Sequence, residues 1–359
     1  MDQVDRQILR LLNQRAALTA DIGRIKGGAG VYVAEREQEV LKRLAAENRG
    51  PISNEALTAI YREVMSSALA LEKPMRIAYL GPAWSYTHLA SMKRFGSQLE
   101  HLAMASIPDV FGEVEKGRVD YGVVPIENST EGVVTHTLDM FIESGVQICA
   151  EVVMEISHCL LARGPLAQVR RIYSNPTAFG QCRQWVRTHL PNAELVEVSS
   201  TSRAAELAAK QRGGAAIASS LSAKHYGLRI LARAIEDAVQ NVTRFLVISR
   251  SSGDGGVPSG KRPASGRLRS KTSIMFSIKD RIGGLHDLLA PFKWYGINLS
   301  KIESRPSRRR AWEYYFFVDL VGHVTEPKIQ KALTTLEREC NFLKILGSYP
   351  IDISGGRVR

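Results

Sequence analysis

Three stretches of different texture predict a multidomain chain: an all-α segment, then an α/β segment, then a small α+β unit of βαββαβ order. Through residues 2–72 apolar residues recur only at helical spacing. From Met75 short apolar runs alternate with helical stretches and are punctuated by Gly and Pro. Residues 251–270, rich in Ser, Gly, Pro and basic residues, separate this from a compact last pattern. The expected division is 1–73, 74–250, a linker at 251–270, 271–350 and a tail at 351–359; a chain of 359 residues suits two or three domains.

The first helix is read from Val4, Ile8, Leu11, Leu12, Leu18, Ile22 and Ile25, which share one face, and Gly27, Gly28 and Gly30 end it. A second helix runs from near Ala34 to Gly50-Pro51, and a third follows Ser53, a suitable N-cap, and stops before Pro74. In the middle segment strands are expected at 76–80, 121–124, 148–155, 172–174, 195–198, 215–218 and 245–248. The run Val123-Val124-Pro125-Ile126-Glu127-Asn128-Ser129 reads as a strand that ends at Pro125 and exits into three polar side chains. In open α/β sheets such exits hold ligands. In the last unit strands at 272–278, 297–302, 314–321 and 342–346 enclose helices at 285–295 and 326–339, a ferredoxin-like order.

A net charge of +12 calls for anionic partners. The basic residues are spread out, without an aromatic-interleaved stripe, so small polyanions are expected rather than nucleic acid. No apolar run is long enough to span a bilayer, and Met1-Asp2 opens without a signal-peptide pattern, so no membrane partner is expected. Four scattered cysteines lack metal-ligand spacing and fit a reducing cytoplasm.

Arg15 interrupts the apolar stripe of the first helix, and Lys26 follows eleven residues later, within about 20° of the same face. Two cations on a face expected to be buried call for an anion. With Asp5, Arg36-Glu37 and the three-helix layout, the segment resembles the all-helical chorismate mutases, in which two chains intertwine. The resemblance implies that Arg15 and Arg36 clamp the carboxylates of chorismate, Lys26 donates to the breaking ether and Glu37 holds the substrate hydroxyl. Such a rearrangement needs positioning and charge stabilisation only. Two positions depart from the pattern. A further arginine about four turns before Arg15 has no counterpart, so the start is misassigned or truncated, or the mutase is impaired. Glu72 stands where glutamine is common, and it helps only when protonated, so mutase turnover is expected to fall as pH rises.

In the middle segment Gly81-Pro82 with Ser85-Tyr86-Thr87, Glu127-Asn128-Ser129, Asn175-Pro176 with Gln181, Ser200-Thr201-Ser202 and Asn241-Val242-Thr243-Arg244-Phe245 all fall at strand ends or helix starts. Hydroxyls and helix N-termini there make an anion-binding surface. The set resembles prephenate dehydratase, and nearly the whole chain resembles the bacterial bifunctional chorismate mutase–prephenate dehydratases. The resemblance implies two α/β lobes around a cleft, as in periplasmic binding proteins, and no cofactor or metal. It makes Thr243 the hydroxyl that assists departure of the ring hydroxyl of prephenate. Ser85, Thr87, Glu127, Asn128, Ser129, Gln181, Thr201 and Arg244 would line the cleft, with Phe245 mainly packing. Trp84 replaces a glycine of the family pattern, and a need there for positive φ would strain it.

The last unit resembles the ACT domain, an amino-acid sensor. Glu303-Ser304-Arg305-Pro306 matches its Glu-Ser-Arg-Pro motif, and Gly283-Gly284-Leu285-His286 stands at its Gly-Ala-Leu-Val motif, with two positions departing. The resemblance implies feedback by phenylalanine bound between paired sensors. The expected protein is therefore a homodimer or higher homo-oligomer that converts chorismate through prephenate to phenylpyruvate. The alternative is a two-lobed ligand sensor that has lost catalysis.

Overall fold

The structure is a computed structural model that describes residues 1–26, 34–72, 74–238, 241–250, 269–278, 281–307 and 313–352. The glycines expected to end the first helix, nearly all of the linker and residues 353–359 of the tail lie outside the described residues.

Three helices come first: α1 (Asp2–Lys26), α2 (Ala34–Glu47) and α3 (Asn54–Glu72). Ser53 caps α3, its Oγ accepting from Ala56 N at 3.1 Å. α1 lies along α3. Its apolar stripe, expected against a core, is open to solvent in the single chain: Val4, Ile8, Leu11, Leu12, Leu18, Ile22 and Ile25 are 41% to 85% exposed.

The first lobe is built from β1 (Arg76–Leu80), α4 (Tyr86–Phe95), β2 (Glu100–Met104), α5 (Ile107–Glu115), β3 (Tyr121–Asn128), β4 (Gly132–Val133), α6 (Thr135–Glu143) and β5 (Gln147–Glu155). The chain then crosses to a second lobe of β6 (Cys159–Ala162), β7 (Arg171–Ser174), α7 (Pro176–Gln181), α8 (Arg183–His189), β8 (Glu194–Glu197), α9 (Thr201–Lys210), β9 (Gly214–Ala218), α10 (Ser220–Tyr226) and β10 (Arg229–Ala232). It returns to the first through β11 (Val242–Ser249). The sheet orders are β2-β1-β3-β11-β5 and β10-β6-β9-β7-β8, with β4 paired to β3. Two crossings between two sheets give two lobes joined by two chain segments.

β3 does not end at Pro125. It continues to Asn128, because Pro125 sits at a register shift: Arg244 faces Glu127, while Phe245 faces Pro125, so Ile126 is extra. A bulge tolerates the donor that proline lacks, and Pro125 O accepts from Thr137 Oγ1 at 2.6 Å. Four strands had no expectation in the sequence: β2, β4, β6 and β10.

The last unit comprises β12 (Ser270–Ser277), α11 (Gly284–Trp294), β13 (Leu299–Pro306), β14 (Tyr314–Val321), α12 (Pro327–Glu339) and β15 (Phe342–Pro350), with sheet order β13-β14-β12-β15. One face of this sheet, with Ile274, Phe276, Val318 and Leu320, packs on α11 and α12. The other face contributes Met275, Tyr315, Phe317, Leu346 and Tyr349 to the core of the first lobe. Burial on both faces explains the near-continuous apolar run of β14. The contact is close enough that a Cβ on Gly347 would lie 2.1 Å from Ile148 O. The expected tail begins inside this seam: Asp352 Oδ2 accepts from Val153 N at 2.9 Å.

Candidate active site

Thr243 pairs with Asn128 across β11 and β3, and Arg244 pairs with Glu127. Side chains alternate along strands, so the first pair faces one side of the sheet and the second the other. On the first side the Asn128 amide donates to Thr243 Oγ1 at 2.8 Å and to Asn241 Oδ1 at 2.7 Å. Asn128 Oδ1 accepts from Thr130 N at 2.9 Å and Glu131 N at 3.0 Å, which fixes the amide's orientation.

The network runs on into the second lobe. Asn241 Nδ2 donates to Gln181 Oε1 at 2.8 Å, and Gln181 Nε2 donates to Thr130 Oγ1 and Glu131 Oε1, each at 3.1 Å. His158 Nε2 lies 2.8 Å from Gln181 Oε1 and donates to it, and Tyr86 Oη lies 3.3 Å from His158 Nδ1. Burial lowers His158 below its ordinary value against the pull of Gln181 and Glu236, so the ring is neutral at pH 7. Since Thr243 Oγ1 accepts the Asn128 proton, its own hydroxyl proton is left to donate elsewhere.

At the other wall Ser85 caps α4, with Oγ accepting from His88 N at 3.3 Å and donating to Leu80 O at 3.2 Å. Thr87 is buried in the first turn of α4, and Thr201 in that of α9. Ser202 Oγ donates to Ala83 O at 2.6 Å, joining the lobes. Trp84 stands at φ 65°, in the left-handed region, and stacks on His225 of α10 with centroids 4.5 Å apart. The expected need for positive φ at this position is real, and a tryptophan meets it.

Several expected cleft residues lie elsewhere. Glu127 and Arg244 face the sensor: Arg244 Nε is 2.7 Å from Glu127 Oε1, and Lys301 also pairs with Glu127. Strand alternation turns them away from Thr243. Ser129 Oγ accepts from Val242 N at 2.9 Å, and so clamps the start of β11. Phe245 is core. Five members of the network were missing from the expected site: Asn241, His158, Tyr86, Thr130 and Glu131. Asn241 stands two residues before Thr243, a strand-period signal that could have revealed it; His158 carries no local signal.

In the helical segment Arg15 Nη1 reaches Val64 O at 3.5 Å, Arg36 pairs with Glu39 at 3.3 Å and Glu37 lies 3.6 Å from Arg94 of α4. Glu72 Oε1 is buried and has no hydrogen-bond partner among the described residues. Lys26 closes α1, and its side chain lies outside the described residues. One chain therefore gives Arg36 and Glu37 protein partners rather than a shared pocket. In the sensor Gly283 precedes α11 at φ 76°, followed by Gly284, Leu285 and an exposed His286, 3.2 Å from Asp287. Glu303 is half-buried, and Arg305 forks onto Asp139 of α6 at 2.9 and 3.0 Å, leaving Ser304 and Pro306 exposed.

A helical module, a two-lobed α/β module with a polar network across its lobes and a βαββαβ unit sharing its core define the class: a multidomain enzyme with a fused regulatory unit. Family models match in the same order: chorismate mutase type II over residues 1–73, prephenate dehydratase over 77–253 and ACT domain over 272–338. The bifunctional chorismate mutase/prephenate dehydratase of Aquifex aeolicus (strain VF5) is 46% identical over 357 residues, covering 98% of this chain and 96% of its own length. The chain belongs to the bifunctional chorismate mutase/prephenate dehydratase family. Among solved structures, prephenate dehydratase from Arthrobacter aurescens in complex with L-Phe is 33% identical with a TM-score of 0.68, covering 78% of this chain and 93% of that one. A quorum-quenching acylase is 28% identical with a TM-score of 0.69, covering 77% and 98%.

Proposed function

We infer that the chain rearranges chorismate to prephenate in its helical segment, and converts prephenate to phenylpyruvate with loss of water and carbon dioxide between its two lobes. The observation that carries the dehydratase reading is the Asn128–Thr243 contact at 2.8 Å, which leaves one hydroxyl proton for the departing oxygen. Aromatisation drives the step, and the protein has only to orient the dianion and stabilise the leaving hydroxide. Ser85, Thr87 and Thr201, in the first turns of two helices, are the groups we assign to the substrate carboxylates. Phenylalanine acts as feedback effector through residues 283–286 and 303–306, in keeping with the L-Phe complex of the Arthrobacter aurescens relative.

We further assign the exposed stripe of α1 to a second copy of the chain. This would supply the anion site around Arg15, Lys26, Arg36 and Glu72 with residues from both chains. The domain division at 73/74 and 250/251 is retained. Among the described residues no helix is long and apolar enough to cross a membrane, and the scattered thiols suit a reducing cytoplasm. The decisive test is turnover of chorismate and prephenate by the chain and by Thr243→Ala. The substitution should lower phenylpyruvate formation about 100-fold or more, as loss of an oxyanion donor does, and leave chorismate consumption intact. A parent chain that forms no phenylpyruvate would overturn the reading. Light scattering at micromolar concentration should give at least a dimer.

A further inference from the structure

The face of the first lobe opposite Thr243 carries a buried ion cluster. Arg244 Nη1 lies 2.8 Å from Asp319 and 3.2 Å from Glu151, and its Nε lies 2.7 Å from Glu127. Lys271 Nζ is 2.9 Å from Glu151, and Lys301 pairs with Glu127. Glu127, Glu151 and Arg244 belong to the dehydratase lobe; Lys271, Lys301 and Asp319 belong to the sensor sheet. Three cations therefore meet three carboxylates across one seam, and the cluster is neutral as a whole. Burial raises the Glu127 carboxyl, but Arg244 and Lys301 outweigh it and hold it below the usual glutamate range. Burial raises Asp319 as well, and Arg244, Lys271 and Ser273 outweigh it there. Glu127 and Asp319 are thus held as partners of fixed cations rather than as free acids.

The cluster sits one residue from the site on both strands. Glu127 precedes Asn128, and Arg244 follows Thr243, in the register that pairs the two couples. Glu127 is also the last residue before β3 reaches Asn128 at its end, just past the bulge at Ile126, where the ladder is weakest. What holds Glu127 therefore holds the backbone that aims the Asn128 amide. Lys301 is 10% exposed on its side chain and stands on β13, facing the same way as Glu303 and Arg305 two and four residues on. Arg305 is itself anchored to Asp139. The strand expected to hold the effector is thus tied to the dehydratase lobe at two points, and the Lys301 tie ends beside the reacting pair.

We propose that Lys301, a residue of the sensor, is a positioning residue for the dehydratase reaction: through Glu127 it fixes Asn128 against Thr243, so that displacement of β13 by an effector changes turnover. This rests on the dehydratase and effector assignments above. Displacements near 1 Å at a reacting group cost about 100-fold in rate, so a shift of β13 by a fraction of that is enough.

The test uses the full-length chain with chorismate and prephenate as separate substrates. Lys301→Met should lower kcat for prephenate at least 10-fold while KM stays within 2-fold and the mutase rate is unchanged. Lys301→Arg should recover most of the loss. The double variant Lys301→Met/Glu127→Gln restores charge balance, and it should recover thermal stability but not kcat. A kcat of Lys301→Met within 2-fold of the parent, a parallel fall in mutase rate, or full recovery of kcat in the double variant would each overturn the proposal, the last because it reduces Lys301 to charge balance. Calorimetric titration with phenylalanine separates the two readings. Lys301→Met should still bind phenylalanine while losing at least 10-fold of its inhibition. A parent that binds none sinks the effector assignment alone, and the kcat values then decide the role of Lys301.

Discussion

Trp84 offers a test in which the sign of the effect is set by the backbone. An L-residue in the left-handed region costs roughly 1–2 kcal/mol, and Trp84 is held there at φ 65°. Its N–H donates to His88 Nδ1 at 3.0 Å, and its ring stacks on His225 across the lobes. Such a stack contributes about 0.5–1.5 kcal/mol beyond area burial. Trp84→Ala removes the stack and keeps the strain. Trp84→Gly removes the stack and relieves the strain, at an entropic cost in the unfolded chain of about 0.4–1 kcal/mol. Glycine should therefore be more stable than alanine here by about 1 kcal/mol. At an ordinary helical or strand position it would trail alanine by about 0.5–1 kcal/mol. By calorimetry the dehydratase transition of Trp84→Gly should lie about 2–4 °C above that of Trp84→Ala. Both variants should change KM for prephenate, since the indole closes one lobe onto the other. An alanine variant that melts at or above the glycine variant would refute the strain argument, and an unchanged KM in both would place Trp84 outside the substrate's path.

Three further outcomes are expected. Arg244→Met would leave the buried Glu151 and Asp319 and the part-buried Glu127 facing two lysines and should destabilise the lobe–sensor seam by about 3–5 kcal/mol, read as an early transition in calorimetry; Arg244→Lys should lose much of the same stability, because an ammonium lacks the guanidinium fork. Burial, with His101 and His225 nearby, lowers His88 from 6.5 to about 4, so the folded state favours the neutral ring. Stability from this site is complete above pH 6.5 and lost as pH falls towards about 4, and His88→Asn should flatten thermal stability across that window. Glu72→Gln should raise mutase turnover, since an amide can donate to the ether oxygen where a carboxylate opposes the charge developing there; an unchanged chorismate turnover rate would remove Glu72 from that role.

The sequence by itself determined what depends on local pattern. Helical spacing placed α1 and α3, Ser53 and Ser200 marked helix starts that the structure shows as side-chain caps, and the βαββαβ order was legible from alternation and punctuation. It brought Thr243, Asn128 and Gln181 onto one list, and they lie in one hydrogen-bonded network. It could not show that Pro125 lies within a strand, because a bulge depends on the partner's register. Nor could it sort Glu127 from Asn128 or Arg244 from Thr243. Adjacent strand residues point to opposite faces, and only the packing of the sensor sheet decides which face meets protein and which meets the cleft. His158 entered the site from the second lobe by crossing strands that no local signal joins to Gln181. The tertiary structure also decided that the sensor shares a core and a neutral ion cluster with the dehydratase lobe. That pairing of charges far apart in sequence is a property of the seam, formed only once both sheets have folded against each other.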